Sequence, residues 1–374
     1  MEGTPVLGRD ASEIMGRFND WLRLVVERDA SDLHIKVGVP PKIRETGVLE
    51  PIEGCANLTH AETDEIAAAI VPEDRMQRLR EAGEVDFAHS VTGIGRFRAN
   101  VFRQRGSLSM VFRKLRYGGP SFAEMRLPDA IRVLSEEHRG LVLVTGPTGS
   151  GKTTTLAAMI EHLNHIRPCH IVTIEDPIEV LFDDDHASIN QREVGNDTES
   201  FLSALRAALR QDPDVILIGE MRDTETVRAA LQAAETGHLV LSTLHTVDAT
   251  ETVNRVIDFF PAYQQDQIRL TLAGALKGII CQRLVPDVSG GLAPTHEILV
   301  NTGRIAERIA DAEKTAEIHD VIAEGDYYGM MTFDQSLLSL VKAGTVTIEN
   351  ALTASSRPHD FQLQLQQAGI ALPI

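Results

Sequence analysis

Eight consecutive residues, Gly146-Pro-Thr-Gly-Ser-Gly-Lys-Thr153, bring together the groups that hold a polyphosphate. The glycines let backbone N–H groups turn inward around phosphate oxygens, Lys152 reaches the outer phosphates, and the Thr153 hydroxyl is a ligand for Mg²⁺. The run lies between an apolar segment, Leu141 to Thr145, and a helix beginning near Lys152, whose N-terminal dipole faces the same anion. Gly146, Pro147, Thr148, Gly149, Ser150, Gly151, Lys152, Thr153 and Thr154 are therefore the expected binding residues for ATP, with Mg²⁺ as its companion.

Hydrolysis needs more than a cradle, and open α/β sheets place reacting groups at the C-terminal ends of neighbouring strands. Val215-Ile-Leu-Ile-Gly-Glu220 ends one such strand with a carboxylate in position to polarise the attacking water. Gly219 stands where a generic pattern would put an Mg²⁺-linked Asp. Ile174-Glu-Asp-Pro-Ile-Glu179 ends another strand with three acids that can hold Mg²⁺ through water or place the nucleophile. Thr236-Gly-His238 to Leu244-His245-Thr246 brackets a third strand with histidines, and His245 is placed to sense a γ-phosphate. Catalysis is expected from Glu220, Glu175, Lys152 and His245, metal ligation from Thr153, Glu175 and Glu220, and further nucleotide contacts from Glu179 and His238. Asp223 is read as the cap of the next helix, with Glu225 in its first turn.

The elements that must position these groups follow from hydrophobic spacing. From about Leu127, short apolar strands (Leu141 to Thr145, Ile171 to Ile174, Val215 to Ile218, Leu239 to Ser242) alternate with segments of helical spacing. That alternation specifies an α/β fold, a sheet flanked by helices. After about Val300 the strands give out; Phe333 to Val341 and Ile348 to Leu352 read as helices separated by a stop at Gly344. Upstream, Ile14, Phe18, Trp21, Leu22 and Val25 form one stripe of a helix over Glu13 to Glu27. Strand-like runs follow at Asp32 to Val37, Lys42 to Leu49 and Val85 to His89, and Ala61 to Ile70 reads as a helix stopped before Pro72. Arg96 to Phe102 and Leu108 to Leu115 read as a hairpin turning at Gly106, with arginines projecting from it. Gly118-Gly-Pro120 suggests a linker, so the expected organisation is residues 1–117 as an N-terminal domain, 118–121 as the linker, 122–300 as the core carrying the phosphate loop, and 301–374 as its helical end.

Charge sharpens that division. The 374 residues carry 54 acids and 36 bases, a net charge of −18. Residues 1–120 are nearly neutral, so the excess of acid belongs to the remainder of the chain. A chain of that sign is a poor match for a phosphate backbone, and direct nucleic-acid binding is not expected. Between Asp86 and Glu124, however, no acid interrupts Arg96, Arg98, Arg103, Arg105, Arg113, Lys114 and Arg116. No apolar run approaches the roughly 20 residues of a membrane helix, and the opening lacks the pattern of a secretory signal. Cys55, Cys169 and Cys281 are too widely spaced for a disulfide framework, which points to a reducing cytoplasm.

Four boxes in one order, GPTGSGKT, IEDPIE, DPDVILIGEMRD and TGHLVLSTLHT, resemble the Walker A, Asp box, Walker B and His box of the secretion ATPase superfamily. The Gly219-Glu220 form of Walker B is usual there. Ser31-Asp-Leu-His34, Pro40-Pro-Lys-Ile-Arg44 and Gly95 to Arg105 look like the N-terminal domain of its pilus-retraction branch. The resemblance implies a PAS-like α+β domain followed by a RecA-like ATPase domain with a helical C-terminal end. It also implies a homohexameric ring, docked at the inner-membrane base of a type IV pilus, that hydrolyses ATP to power retraction and twitching motility. Expected partners are further copies of the chain and an inner-membrane pilus platform protein, with a second retraction ATPase as a further candidate. In that family basic residues of the small domain reach the nucleotide, which gives Arg98 and Arg113, with Arg96, Arg103 or Arg105, the role of a charge clamp. Assembly and type II secretion relatives carry an extra N-terminal domain and a four-cysteine zinc element. Here the stretch Cys281 to His296 has one cysteine and cannot form a sulfur cluster, so retraction is favoured over assembly or secretion.

Overall fold

The computed structural model describes residues 9–372, which form two compact units dividing between Arg116 and Tyr117. In the first unit, α1 (Arg9–Glu27) lays the predicted stripe into a core: Phe18, Leu22 and Val25 are fully buried, and the Phe18 ring meets Phe112 at 5.0 Å between centroids. Facing it is a six-stranded antiparallel sheet of β1 (Asp32–Lys36), β2 (Lys42–Glu45), β3 (Val48–Pro51), β4 (Glu84–Val91), β5 (Gly95–Gln104) and β6 (Ser107–Lys114). Their order is β3-β2-β1-β6-β5-β4. Strand alternation sorts β5 cleanly, with Phe97, Ala99 and Val101 buried and Arg98 exposed. The sequence reading needs two revisions here. Lys42 to Leu49 is two strands, because Thr46 and Gly47 turn the chain at φ 45° and 86°, the backbone of a tight hairpin. Pro72, read as the stop of α2 (His60–Ile70), also N-caps another helix, α3 (Glu73–Ala82).

The second unit is built on a seven-stranded sheet: β7 (Gly140–Thr145), β8 (His170–Glu175), β9 (Ser188–Glu193), β10 (Val215–Ile218), β11 (Leu239–Leu244), β12 (Leu276–Pro286) and β13 (Leu292–Val300). The order is β9-β8-β10-β11-β7-β12-β13, parallel except for β13, which pairs antiparallel with β12. Alternate residues of β7 feed two different cores. Leu141 and Leu143 pack with helices α7 (Thr224–Glu235), α8 (Ala249–Asp258) and α9 (Ala262–Ala275); Val142 and Val144 pack with α5 (Lys152–Ile166) and α4 (Asp129–Ser135). A strand covered on both faces must read as continuously apolar, and that is why the four strands foreseen from the sequence were legible. Helix α6 (Phe201–Ala208) precedes β10. Among the described residues the named elements beyond Val300 are helices, including α10 (Gly303–Ala310), α11 (Ile318–Ala323), α12 (Phe333–Lys342), α13 (Ile348–Ala354) and α14 (Pro358–Gln367). The last three close a small core around Leu337, Phe361 and Leu365 against Val285 of β12. Gly118 and Gly119, expected as linker, lie against α5: the Gly119 N–H donates to Glu161 at 3.0 Å.

Candidate active site

The phosphate loop leaves the end of β7 in the middle of the parallel sheet, and the loops after β8, β10 and β11 end on the same side. Together they enclose a cavity of about 570 Å³ lined by Thr148, Gly149, Gly151, Lys152, Thr153 and Thr154, with Glu175, Asp176, Glu179, Glu220 and His245. Four segments separated by up to about a hundred residues thus meet because each follows a parallel strand.

Lys152 is buried at 9% exposure, and its Nζ donates to the carbonyls of Gly146 at 2.8 Å and Pro147 at 3.0 Å. Burial lowers its pKa, opposed by the charge of Glu220. A buried ammonium resting on neutral carbonyls, beside a buried Ser150 Oγ that has no hydrogen-bond partner, is a site made for an anion. Thr153 is exposed to the cavity.

On the acidic side, Glu220 is 18% exposed, its Oε1 is ion-paired with Arg222 Nη2, and His245 Nε2 lies 3.7 Å from its Oε2. The backbone beneath is tied to the next strand: Thr243 Oγ1 donates to Gly219 O at 2.6 Å and Ser242 Oγ to Ile218 O at 2.8 Å. A Cβ at Gly219 would stand 3.2 Å from the Ile174 carbonyl, a tight contact between the ends of β8 and β10 that a side chain there would have to push aside by a few tenths of an ångström. Glu175 accepts from Thr173 Oγ1 at 2.7 Å and Gln191 Nε2 at 3.2 Å, while burial pushes its carboxyl above the usual carboxylate range. Glu179 lines the cavity and is exposed. Asp223 caps α7, accepting from the Thr226 N–H at 2.8 Å, as read from the sequence.

The fit to Mg²⁺ rests on donor chemistry. Among the described residues no cluster of three or more acids, histidines or cysteines could hold a metal alone. Thr153 and the carboxylates of Glu220 and Glu175 line one cavity beside the phosphate loop. A few oxygen donors completed by phosphate and water are the usual Mg²⁺ arrangement.

One predicted contact is corrected. His238 precedes β11 and lies at the opposite end of that strand from His245, outside the cavity; its Nδ1 faces the Ala233 carbonyl at 2.9 Å and its own carbonyl accepts from Gly140 N. It secures the turn from α7 into β11 and does not line the cavity. Arg98 and Arg113 belong to the first unit, directly opposite each other on β5 and β6. Arg113 Nε donates to the buried Asp32 carboxylate at 2.8 Å, whereas Arg98 has no side-chain hydrogen bond or ion pair among the described residues. Sequence reasoning gave no role to Arg222, Thr173, Gln191 or Gln282. Arg222 stands two residues from Glu220 and the motif string contained it; the others lie on strands whose pairing had to be known first. A second cavity of about 370 Å³, bounded by Met125, Arg126, Gln282, Leu284 and Leu292, adjoins the loop and shares Gly151, Thr154 and Leu284 with the first.

The type II/IV secretion system protein family matches residues 100–353. The chain is 42% identical to the type IV pilus retractation ATPase PilT of Pseudomonas aeruginosa, over 91% of this chain and 99% of that one. It is 41% identical to the type IV pilus ATPase PilU of the same organism, over 93% and 91%. A crystal structure of the pilus retraction motor PilT with bound ADP superposes with a TM-score of 0.84 at 44% identity, covering 92% of this chain and 98% of that one.

Proposed function

The chain belongs to the type II/IV secretion system protein family, and from that premise we propose that it is an ATP-hydrolysing motor that powers type IV pilus retraction. The observation that carries the reading is the meeting of Lys152, Thr153, Glu175, Glu220 and His245 in one cavity, in a chain related over nearly its whole length to PilT. Inward N–H groups and Lys152 bind the phosphates of ATP, and Lys152 exchanges its two carbonyl partners for phosphate oxygens. The adjoining cavity gives the nucleoside room beside Leu284. Glu220 orients and polarises the attacking water, held by Arg222 and facing His245, which senses the γ-phosphate. Mg²⁺, when bound by Thr153 with Glu220 and Glu175 around it, neutralises charge on the transferred phosphoryl group.

The motor is a homohexamer whose small domains turn against the large ones as ATP binds and phosphate leaves. Arg98 and Arg113 complete a site in this ring as the charge clamp, an effect worth roughly 10³- to 10⁵-fold in rate for a correctly placed arginine. Among the described residues no helix is long and apolar enough to cross a membrane, so we assign docking at the cytoplasmic side of the inner membrane to a platform protein of the pilus base. The relation to PilU makes a second retraction ATPase a natural partner. Deleting the gene and imaging surface pili tests the reading: excess pili that do not retract support it, and bald cells assign the motor to assembly instead. Arg98→Ala and Arg113→Ala proteins that assemble and hydrolyse ATP at the parental rate would remove the clamp.

A further inference from the structure

Strand β12 runs beside the phosphate loop, and one of its side chains is committed to that loop at both ends of its amide. Gln282 Nε2 donates to the Ser150 carbonyl at 2.7 Å, and Gln282 Oε1 accepts from the Thr155 hydroxyl at 2.7 Å. Gln282, Ser150 and Thr155 are 1%, 3% and 0% exposed, so water does not compete for either bond. The approach is close along the whole contact. A Cβ on Gly146 would stand 2.3 Å from the Gln282 carbonyl oxygen, and one on Gly151 would stand 2.7 Å from Gln282 Nε2. Gly146 is thus required by the backbone of this strand, and a side chain at Gly151 would displace the Gln282 amide.

The consequence for chemistry follows from peptide geometry. The Ser150 carbonyl and the Gly151 N–H belong to one planar trans unit and point in opposite directions. Drawing the carbonyl onto Gln282 therefore turns the Gly151 N–H to the other side, towards the phosphate. The second bond ties the same amide to Thr155 in the first turn of α5, whose N-terminal dipole faces that anion. We infer that Gln282 is a positioning residue for nucleotide binding: it fixes the phosphate loop in its anion-accepting form before ATP arrives. This rests on the phosphate loop being the ATP site, as proposed above. A loop held in this way serves bound substrate and transition state alike, so its loss raises KM and leaves kcat comparatively unmoved.

The test uses the full-length assembled protein, with steady-state ATPase kinetics, release of a fluorescent ADP analogue, and melting temperature. Gln282→Met keeps the volume and removes both bonds; KM for ATP and the ADP release rate are expected to rise about tenfold, the factor one buried hydrogen bond's worth of loop stability supplies. Gln282→Glu keeps the acceptor for Thr155 but turns an oxygen towards the Ser150 carbonyl, and is expected to be at least as impaired. Thr155→Val spares the Ser150 contact and should move both quantities by about two- to threefold. A purely structural role would lower the melting temperature and leave KM and ADP release at parental values, and that result in Gln282→Met overturns the inference. If Gln282→Met does not fold, Thr155→Val decides by the same criterion. Wild-type protein and Lys152→Ala run alongside: a wild type that fails to bind ATP refutes the ATP-site reading, whereas normal wild-type binding with unaltered Gln282 variants refutes only the positioning role.

Discussion

The two sheets of this protein present their chemistry in opposite ways. In the second unit both sheet faces are covered, Val142 and Val144 to one side and Leu141 and Leu143 to the other, so functional groups can emerge only at strand ends. Glu175, Glu220 and His245 do so. In the first unit charged groups line up across the strands of an antiparallel sheet. Arg44, Asp32, Arg113 and Arg98 stand in register on β2, β1, β6 and β5. Asp32, at 3% exposure, is the only acid of that rung; it accepts from Arg113 at 2.8 Å and from Ser31 Oγ at 2.7 Å, with Arg44 Nε at 3.9 Å. A strand-end residue supports little of the packing around it, while a rung residue holds its neighbours in place. Substitution should therefore cost function in the one case and stability in the other.

The largest effect expected is at a strand end. Glu220→Gln removes the carboxylate to which we assign polarisation of water while keeping its shape, and turnover should fall by roughly 10²- to 10⁴-fold with ATP binding retained. Unfolding free energy should stay within about 0.5 kcal/mol of the parent, since Glu220 pairs with the largely exposed Arg222 and underpins no core. Phosphate-release kinetics and urea denaturation measure the two halves. Retained turnover would remove the assignment, and a large stability loss would break the contrast.

The next effect tests burial on both faces at the sheet's edge. His296 lies on β13 at 2% exposure, its N–H bonded to Ser336 Oγ at 3.1 Å and its Nε2 without a partner, and burial pushes its pKa down to about 4. The folded state thus resists protonation that the unfolded chain accepts near 6.5. Its stabilising contribution is complete above pH 6.5 and is lost as pH falls towards 4, by roughly 3 kcal/mol in all. Burial also lowers the pKa of His89 in the first unit, so the informative quantity is a difference. His296→Gln should flatten the stability profile between pH 6.5 and 4 relative to the parent. Parallel profiles would mean that α12 and the neighbouring helices do not seal this strand.

How much was legible follows the same division. Strands buried on both faces announced themselves by unbroken apolar runs, and the phosphate loop by glycine spacing. Strand β9 reads Ser-Ile-Asn-Gln-Arg-Glu, an edge strand with little apolar signal. Helix α3 carries only Met76, Leu79 and the small Ala82 among polar residues, too few to mark a stripe. Strand β12 follows α9 directly, with no turn residue between Ala275 and Leu276 to mark where the helix stops, so Gln282 had no visible relation to a loop about 130 residues earlier. Motif residues that line the cavity were readable; those that orient them through hydrogen bonds, such as Thr173 and Gln191 on Glu175, required the register. His238 shows the converse error, since sharing a box with His245 says nothing about sharing an end of the strand.

The smallest effect concerns the rung. Burial alone would raise the Asp32 pKa, but the hydrogen bonds from Ser31 and Arg113 outweigh it and hold the carboxyl below its usual range. Asp32→Asn keeps the volume and one acceptor and removes the charge. Arg113 is 69% exposed, so solvent screens the pair and its rupture leaves no buried cation; the expected loss is about 1 kcal/mol. Because the folded pKa is the depressed one, that contribution is present above the unfolded value and is lost as pH falls through the folded value. The deficit of the variant should therefore be full at pH 7 and shrink below about 3.8, the unperturbed Asp value. Urea denaturation at the two pH values measures this, and ATPase assays of the same protein separate a loss of rung geometry from a loss of the clamp. An unchanged stability at pH 7 would mean that Arg113 is as free as Arg98, and the difference drawn between a load shared across strands and a reactive group set at a strand's end would then fail on its weaker side.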